Sequence, residues 1–203
     1  MGISAFIGVY LLVLLFVLGL SIVAYVLQAL GYYAIASRRG IPGAALAWIP
    51  VGNAWILGSI SDQYQMLVKG KQTKRRVAML LLNAATMVVV LGYMIFYILF
   101  VVTMVTTDGT GDMAMGAFGV MMIIALLMSV LSIAMTIMNA FCLYDLYVST
   151  KPDYAVLMLV LSLLVSGALP VCVFICRNSD AGMVIPNGEP VEAVEAETFQ
   201  EVQ

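Results

Sequence analysis

The chain has 203 residues, of which 64% are hydrophobic and 10% are charged, and its formal net charge is −2. Soluble globular domains contain about 25% charged residues, so this composition excludes that class and predicts a polytopic membrane protein. The chain contains no His, which weighs against a hydrolase or a zinc enzyme because His is the commonest metal ligand and a frequent general base. We therefore expect no enzymatic activity and no cofactor.

Four apolar runs follow one another along the chain, and each is long enough to cross a membrane as a helix. A spanning helix needs about 20 mostly apolar residues, and charged or turn-forming stretches separate the runs. We expect an all-α membrane protein whose residues 1–176 form a transmembrane helical bundle. The predicted spans cover residues 3–31, 77–105, 117–144 and 154–176.

Basic residues set the predicted orientation, because cytoplasmic loops of membrane proteins are enriched in Lys and Arg. With the amino terminus outside, eight of the nine Lys and Arg residues lie in cytoplasmic segments, and only Arg177 lies outside. The opposite orientation inverts that ratio. We predict a protein of the bacterial cytoplasmic membrane with an extracytoplasmic amino terminus.

The last span and the tail leave an alternative open. Pro170 interrupts the apolar run 154–176, so this run either crosses the membrane or re-enters on the side from which it came. Residues 177–203 contain six acids and a single aromatic residue, with no base after Arg177. Such a segment cannot bury enough apolar surface to fold, so it is predicted to be a disordered acidic tail.

Residues 43–68, between the first two spans, are apolar but unsuited to a fifth crossing. A crossing would separate the arginines of "RRGI" from the cluster "KGKQTKRR", against the charge rule. Pro50 removes a backbone donor and disfavours helix at the residue before it. We predict a break at Pro50, with Asn53 as the cap of an amphipathic helix from about Ala54 to Val68 that lies at the membrane interface.

Apolar side chains recur along one side of this interfacial helix, at Ile56, Ile60, Tyr64 and Leu67. Two tryptophans suit the headgroup level, and the basic residues that follow either hold anionic lipid headgroups or only fix the orientation. The basic cluster is short and abuts the membrane, so we expect no nucleic-acid partner. The predicted anchoring residues are Trp48, Trp55, Ile56, Ile60, Tyr64, Lys69, Lys71, Lys74, Arg75 and Arg76.

The strings "RRGI", "AWIPVGN", "WILGSISDQY" and "FCLYDLY" resemble a pattern found in small polytopic membrane proteins of Gram-positive bacteria. The string "CRNSDAG" is similar to the ending of several bacterial integral-membrane families. The resemblance covers about residues 31–183 and implies the architecture. No activity is assigned to those families, so it implies no catalytic residue.

Sulfur-bearing side chains form a stripe along the third predicted span. Soft thioether and thiolate groups suit Cu(I), but Met is also an adaptable packing residue in apolar helices, and packing is the preferred interpretation. The stripe consists of Met121, Met128, Met135 and Cys142, seven residues apart, with Cys172 and Cys176 as further candidates.

Polar residues inside spans are costly and therefore informative. Gln28, Asn83 and Asn139 are the strongest cases in this chain. Hydrogen bonding between helices is preferred over a substrate pathway for these amides. Asp145 lies near the edge of the third span, where it either relays protons, pairs with a cation or marks a helix end.

Two functions follow from these features. The first is an accessory or binding protein whose segment 43–68 docks on membrane lipids or on a membrane-protein partner, with a homo-oligomer as a further form of assembly. The second is a transporter or channel for a small solute or a soft metal such as copper, which uses the sulfur stripe.

Overall fold

The computed structural model describes residues 3–106, 111–165 and 167–183. In these residues all regular secondary structure is helical, which confirms the predicted all-α class. Two 3-10 helices, Ala44–Trp48 and Pro152–Tyr154, accompany the α-helices. The α-helices are α1 (Ile3–Arg38), α2 (Pro50–Leu67), α3 (Arg75–Thr106), α4 (Gly111–Thr150), α5 (Ala155–Leu164) and α6 (Ala168–Cys176).

Three of these helices are long and apolar enough to cross a membrane. They contain the stretches Ile7–Arg38, Arg75–Val105 and Phe118–Thr150, of 32, 31 and 33 residues. At about 1.5 Å per residue, each is longer than the hydrocarbon core of a bilayer, which is about 30 Å thick. The three helices coincide with the first three predicted spans, as expected for an integral membrane protein.

The predicted fourth span, 154–176, is not one continuous helix. Helix α5 has 10 residues and α6 has 9, so each is about 15 Å long or less, half of what a bilayer requires. The backbone leaves the helix at Val165, and Pro170 lies in the first turn of α6, where a missing N–H is tolerated. A fourth span is therefore not confirmed.

After α6, the chain returns to the end of α4. The backbone N–H groups of Ala181 and Gly182 donate to the carbonyl oxygens of Thr150 and Ser149, respectively. Helices α5 and α6 therefore form a short hairpin that starts and ends at the same end of α4. Residues 177–183 of the predicted acidic tail are packed against the bundle, and the rest of that tail, with most of its acids, lies outside the described residues.

Helix α2 begins at Pro50 and not at Ala54, and Asn53 is not its cap. Ile49 is the N-cap, with the extended backbone that a residue before proline adopts. Proline is favoured at the first helical position because its missing N–H would have no partner there in any case. Pro50 was predicted to break a helix. In the structure it does so as the first residue of α2.

Residues 40–67 form a second segment that starts at one end of the bundle and returns to the same end. The Tyr25 hydroxyl donates to the carbonyl oxygen of Trp48 at 2.7 Å, and Tyr25 precedes the end of α1 at Arg38 by about 20 Å of helix. The chain therefore runs down along α1 to Trp48 and comes back up as α2. Both faces of α2 are buried between α1, α3 and α4, so an interfacial position is not confirmed.

All nine Lys and Arg residues lie at one end of the molecule, where α1, α4 and α6 end and α3 begins. We call this end the basic pole. Arg177, expected on the opposite side from the other eight, is also here, because its carbonyl oxygen accepts a hydrogen bond from Arg38 at 2.5 Å. The hairpin of α5 and α6 is the reason, since it brings the chain back to the side that it left.

Candidate functional site

Asp145, near the end of α4, is the centre of a buried polar network beneath the basic pole. Its side chain is buried, and it accepts hydrogen bonds from Ser61 at 2.7 Å and from Gln65 at 2.8 Å, both on α2. Arg75, the first residue of α3, places Nη1 2.5 Å from the same carboxylate. Lys69 Nζ lies 3.8 Å away and is more exposed. One carboxylate thus joins three helices.

Asp62, one turn from Gln65, holds the start of α3 in a second way. It accepts hydrogen bonds from the backbone N–H groups of Arg75 at 2.8 Å and Arg76 at 3.1 Å, and from the Thr73 hydroxyl at 2.6 Å. A carboxylate at a helix N-terminus satisfies orphan N–H groups and interacts favourably with the helix dipole. The loop between α2 and α3 is therefore fixed at its end by Asp62.

Close contact between α2 and α3 depends on Gly58. A Cβ atom at this position would lie 2.5 Å from the Cα atom of Arg76, which is closer than packed atoms can approach. The absence of a side chain lets the α3 backbone approach α2, and this approach brings Asp62 within reach of the α3 N-terminus.

A second ionic cluster fastens the segment after α6 to the end of α1. Asp180 forms ion pairs with Arg38 and with Arg39, whose Nη2 lies 2.6 Å from the carboxylate. Arg39 is almost fully buried and also donates to the Ser149 hydroxyl on α4 at 3.0 Å. A Cβ on Gly182 would lie 1.8 Å from a carbonyl oxygen of α4. The strings "RRG" and "SDAG" thus meet in one cluster.

The predicted anchoring residues divide into buried and exposed groups. Ile56, Ile60 and Tyr64 are in the protein core, at 0%, 0% and 4% exposure. Burial, and after it the charge of the nearby Asp145, raise the pKa of Tyr64 above its ordinary value, so this hydroxyl stays protonated. Trp48 is exposed and is the last residue of the 3-10 helix Ala44–Trp48, which precedes α2. The apolar side of α2 thus packs against protein in this structure.

The basic residues of the predicted set also divide. Arg75 pairs with Asp145, and the Arg76 guanidinium lies 5.5 Å from the centre of the Trp55 ring. Lys69, Lys71 and Lys74 are exposed on the loop between α2 and α3. Within the described residues, neither Lys71 nor Lys74 forms an ion pair. The loop lysines are the accessible positive charge of this site.

The sulfur-bearing side chains of the stripe do not lie together at one site. Cys142 is fully buried in the core, while the three methionines are half-buried along α4. Met135 is the member of the stripe that lines the cavity described below. The described residues contain no group of three or more His, Cys, Asp or Glu side chains arranged to hold a metal ion. Soft-metal transport by Met121, Met128, Met135 and Cys142 stays a prediction.

The three amides flagged inside spans, by contrast, meet at one cavity of about 390 Å³. Gln28, Asn83 and Asn139 lie on α1, α3 and α4, between about 12 and 16 Å along their helices from the basic pole. Asn53 at the start of α2 joins them. The other lining residues are Tyr25, Tyr32, Pro50, Ala54, Leu57, Met135, Thr136, Leu143, Leu163 and Leu169.

Sequence reasoning identified the amides as unusual and gave pairing with a cation as one alternative for Asp145, but it did not name Arg75 as the partner and missed the cluster around Asp180. A usable signal was present, since only five acids precede residue 179 and two of them, Asp62 and Asp145, are the ones that hold α3. Acids that are rare in a membrane protein and close to a basic cluster are expected to pair with it.

Comparisons of the chain with protein-family models, curated proteins and solved structures found no match. The site therefore rests on its own geometry.

Proposed function

We propose that this chain is an accessory or binding protein of a bacterial cytoplasmic membrane, and that it binds anionic lipid headgroups through the lysine loop, residues 68–74. The proposal is carried by the exposure of Lys69, Lys71 and Lys74 on a loop whose two ends are held by buried carboxylates. It departs from the docking surface expected from the sequence, since the apolar side of α2 is occupied by protein.

The fixed loop favours binding over simple topogenic function. A lysine near an anionic membrane surface contributes about 1 kcal/mol. Because Asp62 and Asp145 order the loop before any lipid arrives, little backbone entropy is lost on binding. Arg75 and Arg76 are engaged by Asp145 and Trp55, so the lysines supply most of the attraction.

Orientation follows from the same charge distribution. Placing all nine basic residues in the cytoplasm satisfies the positive-inside tendency more fully than the four-span arrangement, which left Arg177 outside. In this proposal the amino terminus is extracytoplasmic and the segment after α6 is cytoplasmic. The lysine loop then faces the inner leaflet, where anionic lipids impose a negative surface potential.

The test compares the double variant Lys71→Gln and Lys74→Gln with the wild type. Purified full-length protein in mild detergent is titrated with phosphatidylglycerol, and bound lipid is counted by native mass spectrometry. Two lysines at about 1 kcal/mol each correspond to an apparent Kd about tenfold to thirtyfold weaker. Lys69 is left in place because it lies near Asp145.

The matched control replaces the same two lysines by Arg, which keeps the charge. It should bind phosphatidylglycerol as the wild type does. Neither variant should differ from the wild type in the little phosphatidylethanolamine that it binds. Equal phosphatidylglycerol affinity in the Gln variant and the wild type would rule the lysine loop out as the docking surface.

A further inference from the structure

We call the cavity lined by Gln28, Asn53, Asn83 and Asn139 the amide cavity. Its three asparagine side chains form no hydrogen bonds with the rest of the described protein. Within the described part of the chain, the side-chain amides of Asn53, Asn83 and Asn139 have no hydrogen-bond partner, although Asn53 is only 8% exposed. Asn83 and Asn139 are half-buried, and all three side chains line the cavity. Their amide groups are therefore available to hydrogen-bond whatever occupies the cavity.

The lining defines what chemistry fits. It contains no Asp, Glu, Lys or Arg, and a charged group placed there without a partner would be strongly disfavoured. Each carboxamide offers two donors and one accepting oxygen, so hydroxyl and carbonyl groups suit it equally. The remaining wall is mostly apolar, with four leucines and a methionine. The cavity volume of about 390 Å³ is within the range of small-molecule sites.

The mouth of the cavity opens beside the spanning helices. Three lining residues, Pro50, Thr136 and Leu163, are exposed, and Thr136 lies about 21 Å along α4 from the basic pole. Helix α1 packs mainly on α6, α2 and the turn Ala44–Trp48, not on α3 or α4, which leaves the gap that the cavity fills. Surface at this depth along a spanning helix meets lipid, so a ligand reaches the cavity from within the bilayer.

We infer that the amide cavity binds an uncharged amphiphile whose head carries hydroxyl and carbonyl groups and whose acyl chain leaves through the mouth into the bilayer. The head lies among Asn53, Asn83 and Asn139, and the leucines contact its apolar part. This site is separate from the lysine loop, and its ligand class, neutral rather than anionic, is different.

The probe is a diacylglycerol with a photoactivatable diazirine in one acyl chain. Full-length protein in phosphatidylcholine nanodiscs is irradiated with the probe, and labelled peptides are mapped by mass spectrometry. Labelling should concentrate on residues 50–57 and 135–143, and unlabelled diacylglycerol should compete. A phosphatidylglycerol with the same diazirine chain should label these peptides at least fivefold less.

Two variants separate this site from general lipid contact. Replacing Asn83 and Asn139 by Leu removes two hydrogen bonds of about 0.5–1.5 kcal/mol each, so labelling should fall about tenfold. Thr136→Trp should block the mouth and lower labelling at least fivefold. Because Thr136 is exposed, this second variant remains informative if the first does not fold.

The matched control is Ile137→Trp, which adds the same side chain at the next residue, exposed and outside the cavity lining. It should label as the wild type does. Labelling spread along the exposed half of α1 and unaffected by Thr136→Trp would mean that the cavity holds water only, and would overturn the inference. Equal labelling of the cavity peptides by the phosphatidylglycerol probe would overturn the choice of a neutral ligand.

Discussion

Replacing Asp145 by Asn tests whether one buried carboxylate holds α2, α3 and α4 together. The change keeps the size of the side chain and leaves it able to bond Ser61 and Gln65, but it removes the charge opposite Arg75. Breaking a buried ion pair by removing one partner costs about 3–5 kcal/mol. Since the Arg75 side chain is 24% exposed, water offsets part of that cost, and we expect the variant to lose about 2–3 kcal/mol of stability.

The cysteines of the protein provide the assay. Cys142, Cys172 and Cys176 are unpaired and buried, so a thiol-reactive fluorogenic maleimide labels them only when the bundle opens. For a chain of this size, 1 kcal/mol shifts the unfolding midpoint by about 2–4 °C. The midpoint of Asp145→Asn in detergent should therefore fall by about 5–10 °C.

The control is Asp153→Asn, which removes the same charge from an exposed residue at the basic pole and should shift the midpoint by less than about 1 °C. Arg75→Gln should be destabilising as well, and its effect combined with Asp145→Asn should be well below the sum, because both changes break one bond. An unchanged midpoint in Asp145→Asn, or additive effects in the double variant, would refute the reasoning.

Two more outcomes follow from the segment after α6. Gly182→Ala forces a methyl group against the α4 backbone and should release the segment, so trypsin should cleave after Arg177 at least tenfold faster than in Gly167→Ala, where a Cβ meets nothing within 4 Å. Cysteines introduced one at a time at Gln72 and Asn178, both exposed, should react with a membrane-impermeant maleimide from the same side of the membrane.

Each of these outcomes has an opposite that contradicts the fold. Equal trypsin cleavage in the two Ala variants would show that the contact of Gly182 with α4 does not retain the segment. Labelling of the two introduced cysteines from opposite sides would mean that residues 154–176 cross the membrane, as the four-span prediction holds. Both experiments use the full-length protein in native membranes, so detergent cannot rearrange the hairpin.

The three long helices were predictable because they depend on composition alone. A run of some 30 apolar residues in lipid has to satisfy its own backbone hydrogen bonds, and a helix does so locally. Charged residues such as Arg38 and Arg75 lie where these helices end or begin. The predicted first and third spans nevertheless stopped at residues 31 and 144, short of the helix ends at Arg38 and Thr150. Composition alone did not determine the structure of residues 154–176. Pro170 interrupts this apolar run, and hydropathy does not distinguish one span from a hairpin of two half-length helices.

Helix α2 shows why amphipathic patterns can mislead in a membrane protein. Its polar residues Ser61, Asp62 and Gln65 pointed to a face in water, and a surface helix has that pattern. The same pattern fits a helix buried among partners of matching polarity, and the central partner, Asp145, is 80 or more positions away in the sequence. No local signal tells the two cases apart.

By itself the sequence determined the class of protein, the three long helices, the clustering of positive charge and the identity of the costly polar residues inside spans. These properties follow from residue type and from local backbone hydrogen bonding. The tertiary structure alone decided that the chain returns twice to one pole, that Asp145 and Asp180 hold the returning segments, and that Gln28, Asn83 and Asn139 face a single cavity. Such pairings depend on contacts between residues tens of positions apart, and their free energy exists only after the helices have packed.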